Sequence, residues 1–293
     1  MSAVVSGKLD VIPFKAPIGA EIRGVDLSRE IDPDVMRQIE AAYDHHSVLV
    51  FRDQRLTPER QIRFSGFFGP LEIHVLKPYL LPGHPEILVV SNIRDDGGGF
   101  VGLPDAGQTW HTDTSYRRKP SRGSVLYALE IPHASDGRPL GDTLFAGTAP
   151  AYDDLSADMK ARLEGRKAVH SYGQRKRVAG SQRAKLTREQ LEQTPDVSHP
   201  VVRTHPNTGR KALYVFEGEC TGIEGMPEDE ALALIAKLTE HCIQPQYIYR
   251  HVWRKGDVVM WDNAATLHLA TADYALPQRR LLYRTTIEGG VPR

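Results

Sequence analysis

His111 and Asp113, in the run Trp110-His111-Thr112-Asp113, are the first residues in this 293-residue sequence whose types and spacing suggest chemistry. Side chains alternate along an extended segment, so residues i and i+2 share a face. An imidazole nitrogen and a carboxylate oxygen on one face can grip a single cation. Two ligands hold a cation poorly, and His268, closing the run Trp261-Asp262-Asn263-Ala264-Ala265-Thr266-Leu267-His268, is the best candidate for a third. Two histidines and one carboxylate on one side of a metal, with other positions open, form the donor set of non-haem Fe(II) oxygen chemistry. His-x-Asp discriminates little by itself in a chain with 12 histidines, and the same residues in a surface turn would need no metal.

His111 and His268 lie far apart in sequence, so a closed or sandwiched sheet must bring them together. Strand-like runs dominate. Ile22–Leu27 alternates crudely, Ser47–Phe51 reads as a buried strand, and Ser124–Leu129 and Asp142–Phe145 follow the His-x-Asp pair. Val201–Thr204 and Ala212–Val215 flank the turn Pro206-Asn207-Thr208-Gly209 as a hairpin. Three further strands are expected at Tyr247–Trp253, Asp257–Trp261 and Arg280–Ile287. Helices punctuate these runs. Asp32 and Pro33 begin one to about His45, with Val35, Met36, Ile39 and Tyr43 as its apolar stripe. Thr57 and Pro58 open a second reaching Phe64 to Phe68, and Ser156 caps a third. Pro227 starts the clearest, with Ala231, Leu234, Ile235, Leu238 and Cys242 buried. The pattern is mainly β with peripheral helices, a double-stranded β-helix or jelly roll in a single domain over 1–293. Two segments read as mobile lids: the Gly-rich approach 93–108, and the polar, basic stretch 171–198. Either can equally be an ordinary solvated loop.

Composition limits the partners. Lys+Arg and Asp+Glu are both 37, so the net charge is zero and nothing advertises nucleic acid or an anionic membrane. Two cysteines without Cys-x-x-Cys spacing argue against a disulfide framework or zinc knot. The N-terminal run lacks the pattern of a signal peptide and no stretch is apolar enough to span a bilayer, so a cytoplasmic protein is expected.

Five stretches carry a resemblance. They are Phe68-Gly69-Pro70-Leu71-Glu72-Ile73-His74, Trp110-His111-Thr112-Asp113, Gly141-Asp142-Thr143-Leu144, His199 through Pro206, and Trp261-Asp262-Asn263 through His268 to Arg284. In type and order they are similar to the taurine dioxygenase and phenoxyacetate dioxygenase family of Fe(II)- and 2-oxoglutarate-dependent oxygenases. The resemblance implies iron held by His111, Asp113 and His268. It implies 2-oxoglutarate bound through its distal carboxylate by Arg284, with Thr143 and Arg280 as helpers. It implies O2 as the other cosubstrate, and a homodimer or homotetramer. A guanidinium suits a dicarboxylate on independent grounds, because it offers two parallel hydrogen bonds.

The implied reaction converts 2-oxoglutarate to succinate and carbon dioxide while a small organic acid is hydroxylated, with collapse of the product where the hydroxylated carbon carries a heteroatom. Asp113 favours hydroxylation, since halogenating relatives lack that carboxylate. His74 matches a histidine that contacts the sulfonate in taurine enzymes. Lys77, Gly107 and Glu219 depart from the taurine pattern at positions expected near the substrate. A carboxylate at Glu219 would favour an anionic substrate that carries a second polar group. Two rivals stay open: a zinc hydrolase, which leaves Arg284 without a purpose, and a non-catalytic jelly roll that binds 2-oxoglutarate or another metabolite.

Overall fold

The computed structural model describes residues 8–174 and 187–293. Sixteen strands form its framework: β1 (Asp10–Pro13), β2 (Ala20–Arg23), β3 (Val48–Phe51), β4 (Leu80–Leu81), β5 (His84–Ser91), β6 (Gly123–Glu130), β7 (Thr143–Gly147), β8 (Lys167–His170), β9 (Val197–Pro200), β10 (Val202–Thr204), β11 (Lys211–Leu213), β12 (Cys220–Ile223), β13 (Ile248–His251), β14 (Val258–Asp262), β15 (Thr266–Ala270) and β16 (Leu281–Ile287). Eight of them make one sheet in the order β1-β2-β3-β14-β6-β16-β5-β4. A second sheet, β13-β7-β15, carries His268. Two small sheets, β12-β8-β9 and β10-β11, complete the described strands.

The strand period explains the layering. On β3, Leu49 and Phe51 join one apolar cluster while Val48 and Val50 join another; on β14, Val258 and Met260 separate likewise from Val259 and Trp261. The first cluster lies under helices α1 (Pro33–His46) and α2 (Pro58–Gly66), where Ile39, Tyr43 and Phe64 pack. The second fills the space towards the β13-β7-β15 sheet, through Phe145, Tyr249 and Trp253. A third cluster forms around α6 (Glu228–Cys242), the last of six helices that also include α3 (Thr148–Asp153), α4 (Ala157–Leu163) and α5 (Arg188–Glu192). The large sheet is buried on both faces, and both of its central strands deliver residues to the site.

Local signals set the helix ends. Asp32 accepts from the Asp34 amide at 2.7 Å and Thr57 from the Arg60 amide at 3.4 Å, caps worth about 1 kcal/mol each. On α6 the expected stripe of Ala231, Leu234, Ile235, Leu238 and Cys242 is buried. Two expectations need correction. The first alternating run pairs as Ala20–Arg23 rather than Ile22–Leu27, because β2 runs parallel to β3 with Ile22 opposite Phe51. His111 forms only an isolated bridge and Asp113 already lies in a turn, so the metal pair does not share a regular strand. The Gly-rich approach is pinned: Leu103 donates to the Val89 carbonyl at 2.8 Å, and the Asp95 carboxylate takes the amides of Gly97 and Gly99. Residues 175–186 of the expected basic lid lie outside the described residues. Among the described residues no helix is long and apolar enough to cross a membrane.

Candidate metal centre and active site

Backbone pairing builds the centre. The His111 amide donates to the His268 carbonyl at 3.1 Å, and the His268 amide donates back at 2.8 Å. These reciprocal bonds set the two histidines opposite each other, with ring centroids 4.1 Å apart. Asp113 completes the group. Its Oδ1 lies 3.9 Å from His111 Nε2 and its Oδ2 lies 3.9 Å from His268 Nε2. These spacings are too long for hydrogen bonds, and one ligand atom from each residue lies within 4.8 Å of the others. Among the described residues this is the one His, Cys, Asp and Glu group so arranged.

Proton placement tests whether a metal fits. His111 Nδ1 sits 2.8 Å from the Thr109 carbonyl, which can only accept; the ring proton is therefore on Nδ1 and the lone pair of Nε2 faces Asp113. The His268 ring is held against Trp261 and Phe145, with centroids at 4.8 and 6.1 Å. Burial, then the neighbouring His111, push its imidazolium pKa well down against the pull of Asp113, so the ring is neutral as a ligand must be. Burial drives the Asp113 carboxyl the other way. Arg284 leads the groups that overcome it, followed by the two histidines and Ser124, and the carboxylate is held well below the usual range. Two neutral imidazoles and one ionised carboxylate suit a divalent cation.

Further groups hold Asp113. Ser124 Oγ donates to Oδ2 at 2.7 Å, and Arg284 Nη1 to Oδ1 at 2.8 Å. The Asn263 side chain spans both ligand-bearing segments. Its Oδ1 receives the Thr112 hydroxyl at 3.2 Å, the Asp113 amide at 3.3 Å and the Trp261 indole at 3.0 Å; its Nδ2 donates to Ser121 Oγ at 2.8 Å. Ser121 in turn donates to the Asp113 carbonyl at 3.1 Å. Asn263 and Ser124 escaped the sequence reading as site residues, although both lie in runs it had singled out. An Asn directly after Trp-Asp in the His268 block is the signal that could have found the first.

The two arginines occupy different places. Arg284 meets the metal end of the site through Asp113. Arg280 is buried, donating from Nη2 to the Gly141 carbonyl at 3.1 Å and from Nη1 to the Tyr274 hydroxyl at 3.4 Å, with no carboxylate paired to it and no partner for its Nε among the described residues. Thr143, on the adjoining β7, is buried and receives the Trp253 indole N–H at 3.0 Å.

The remaining candidates divide. His74 is half-buried, and its Nδ1 accepts the Leu76 amide at 3.1 Å, which puts any ring proton on Nε2. Lys77 is exposed at the start of a short 3-10 turn, Lys77–Tyr79. Gly107 has φ +74°, and a Cβ there would lie 3.2 Å from the His111 ring, so the position is glycine for a backbone reason beside the metal ligand. Glu219 is buried and accepts the Ser115 hydroxyl at 2.6 Å. It thus supports the turn after Asp113 through that hydroxyl.

Known proteins are similar to this chain over most of its length. The chain is 35% identical to the alpha-ketoglutarate-dependent 2,4-dichlorophenoxyacetate dioxygenase of Cupriavidus pinatubonensis, over 94% of this chain and 96% of the relative. It is 34% identical to an alpha-ketoglutarate-dependent sulfate ester dioxygenase of Pseudomonas putida, over 97% and 91%. A crystal structure of a taurine dioxygenase from Burkholderia xenovorans superposes with a TM-score of 0.80 at 36% identity, covering 97% of this chain and 90% of that one. AAD-2 in complex with Mn(II) and N-oxalylglycine gives 0.80 at 30% identity, covering 98% and 99%. With residues 10–286 matching the family described as Taurine catabolism dioxygenase TauD, TfdA family, the chain belongs to that family.

Proposed function

We propose that the protein is an Fe(II)- and 2-oxoglutarate-dependent dioxygenase that hydroxylates a small organic acid. The observation that carries this reading is the convergence of His111, Asp113 and His268, with protons and charges set for a divalent metal. Iron bound there supplies the activation of O2 that no side chain provides, with 2-oxoglutarate as the electron donor. The protein's own residues orient and exclude. Thr109 fixes the His111 tautomer, Ser124 and Asn263 fix Asp113, and Trp261 and Phe145 wall the His268 ring from water.

Arg280 and Thr143 take the distal carboxylate of 2-oxoglutarate in this proposal. A buried guanidinium with no carboxylate of its own calls for an anion, and Arg280 is in that position. Arg284, engaged with Asp113, serves the end of the cosubstrate nearer the metal. The two arginines thereby exchange the roles that the resemblance implies for them. The substrate class is that of the named relatives and their kin: an aryloxy or alkyl carboxylate, a sulfonate, a sulfate ester or an amino-acid-like acid. Collapse of the hydroxylated product releases a heteroatom group where one is attached. Of His74, Lys77, Gly107 and Glu219, the half-buried His74 and the exposed Lys77 carry groups that can meet an anion.

The same proposal takes the two main sheets as halves of a double-stranded β-helix, or jelly roll, in one domain over 1–293. Residues 93–108 form a lid, since Gly107 already abuts His111. Assembly as a homodimer or homotetramer in the cytoplasm, without nucleic acid or membrane partners, belongs to it too. Succinate formation under air with Fe(II), ascorbate and 2-oxoglutarate, across sulfonates, aryloxy acids, amino acids and sulfate esters, tests the function. Substrate-stimulated succinate that disappears in His111→Ala is expected. Iron-loaded, folded protein that binds no 2-oxoglutarate would overturn the assignment; binding without succinate for any substrate would favour a sensor.

A further inference from the structure

We propose that Trp253 is a positioning residue for 2-oxoglutarate: its indole N–H orients the Thr143 hydroxyl so that the hydroxyl proton is presented to the distal carboxylate. The inference rests on the oxygenase reading above and deepens it, by naming the side chain that aims one of the cosubstrate's contacts.

Strand register decides where Thr143 points. Residues directly opposite in an antiparallel pair put their side chains on one face. On β7, Phe145 stands opposite His268 of β15 and Tyr249 of β13, while Thr143 stands opposite Ala270 and His251. Thr143 and Phe145 are two apart along one strand, so all six side chains share a face. That face carries the metal ligand His268, whose ring lies 6.1 Å from the Phe145 ring. Thr143 is therefore a diagonal neighbour of His268, about 7–8 Å away on the same surface. Arg280 reaches the same end of β7. Its Nε, without a partner among the described residues, lies 3.2 Å from the point that a Cβ on Gly141 would occupy.

The hydroxyl has a proton to give. Thr143 Oγ1 accepts from Trp253 Nε1 at 3.0 Å. An indole nitrogen can only donate, so this bond uses a lone pair of the hydroxyl and leaves its proton uncommitted. The Thr143 residue is 4% exposed, and a buried hydroxyl calls for an acceptor. A carboxylate held beside Arg280 supplies one, in a charge-assisted bond. Accepting from the indole also polarises the hydroxyl and makes it a better donor.

The tryptophan is itself held. Trp253 is fully buried, and the His251 ring meets it edge-on, with centroids 4.5 Å apart and planes at 85°. His251 is fixed at both nitrogens. Its Nδ1 accepts the Tyr249 hydroxyl at 3.0 Å, and its Nε2 donates to Asp257 Oδ2 at 3.1 Å. The same oxygen accepts Arg52 Nη1 at 2.5 Å and, at 2.8 Å, the amide of Arg254, the residue after Trp253. With ring plane and neighbouring backbone both fixed, the indole N–H has one direction, and Thr143 lies along it. A contact aimed before the ligand arrives loses little freedom on binding.

The test is calorimetry on protein loaded with Ni(II), titrated with 2-oxoglutarate and with 2-oxopentanoate, which has a methyl group in place of the distal carboxylate. Trp253→Phe and Trp253→Leu both lack the donor, so a packing fault peculiar to one is seen against the other. We expect each to weaken 2-oxoglutarate by roughly 5-fold, the loss of a neutral hydrogen bond, and 2-oxopentanoate by less than about 2-fold. Ni(II) affinity should not move. Thr143→Val should weaken 2-oxoglutarate by roughly 30-fold, a charge-assisted contact, and adding Trp253→Phe to it should then cost less than about 2-fold more. Thr143→Ser keeps the hydroxyl and should keep the dependence on Trp253. Equal losses for the two acids in both tryptophan variants, no loss in either, losses that simply add to that of Thr143→Val, or a Thr143→Val protein with no selective loss of 2-oxoglutarate, overturns the proposal. If 2-oxoglutarate binds and Trp253 proves indifferent, this inference alone fails; if the loaded wild type does not bind 2-oxoglutarate, the oxygenase reading fails with it.

Discussion

Two clusters in this protein share the same ingredients and do opposite things. His111, His268 and Asp113 form one; His170, His199 and Glu219 form the other, on the far side of the turn that follows Asp113. In the first, Nε2 of each imidazole faces one carboxylate across 3.9 Å, with no hydrogen bond between them. In the second, the polar atoms are already spent. His199 Nε2 gives its proton to two carbonyls, and His170 Nδ1 lies 3.0 Å from the Ser115 hydroxyl, which donates to Glu219. Cys220 Sγ, 3.6 Å away, attends to His170 Nε2. The difference teaches that the convergence of ligand atoms on a common point, more than residue types, defines a candidate metal site. The second cluster is a prop that holds the turn carrying Ser115 and Arg117.

The contrast is open to attack, most severely through the ligands. Replacing His268 by Ala removes one of three donors, and metal affinity should fall by more than about 1,000-fold with succinate production abolished. His199→Ala should retain the metal. Equal loss in a metal titration of both variants would break the comparison. Next, Arg280→Ala should raise the KM for 2-oxoglutarate by roughly 100-fold while metal affinity holds, since a charge-assisted contact is lost. Arg284→Ala should disturb metal binding as well, because it leaves Asp113 without its cation.

Asn263→Ala removes the amide that joins the two ligand segments, and should weaken the metal by about 10- to 100-fold, read in the same titration. The smallest effect concerns the prop. Burial, then His199, lower the His170 pKa to about 3. The unfolded chain binds a proton at this residue below its ordinary value near 6.5 while the native protein does not. Stability should thus fall as pH drops from about 6.5 towards 3, by up to about 1.4 kcal/mol per pH unit from this group. His170→Gln should show a shallower acid decline in urea midpoint, and an unchanged slope would remove that account.

Much of this was legible from residue types and order. Helix ends at Asp32-Pro33 and Thr57-Pro58 announced themselves because caps are local. The grouping of His111, Asp113 and His268 was legible from chemistry and resemblance together. Which of Arg280 and Arg284 meets Asp113 was not, since both are arginines in one short run, and the folded chain gives that contact to Arg284. The Ser115 partner of Glu219 was hidden for a similar reason: it is remote in sequence. The first strand slipped because its register is dictated by parallel pairing with β3. Asn263 went unassigned because an amide's worth depends on what surrounds it.

The reciprocal backbone bonds between His111 and His268 also bear on how the protein is made. A growing polypeptide leaves the ribosome N-terminus first, so His111 and Asp113 emerge long before their partner. β7, against which β15 pairs, must wait as well. Closing so long a loop must wait until His268 has emerged. An incomplete chain therefore offers iron two ligands and little affinity. Metal capture is thereby deferred until β15 has paired with β7, which spares a shorter nascent chain from carrying a redox-active ion before the walls around it exist.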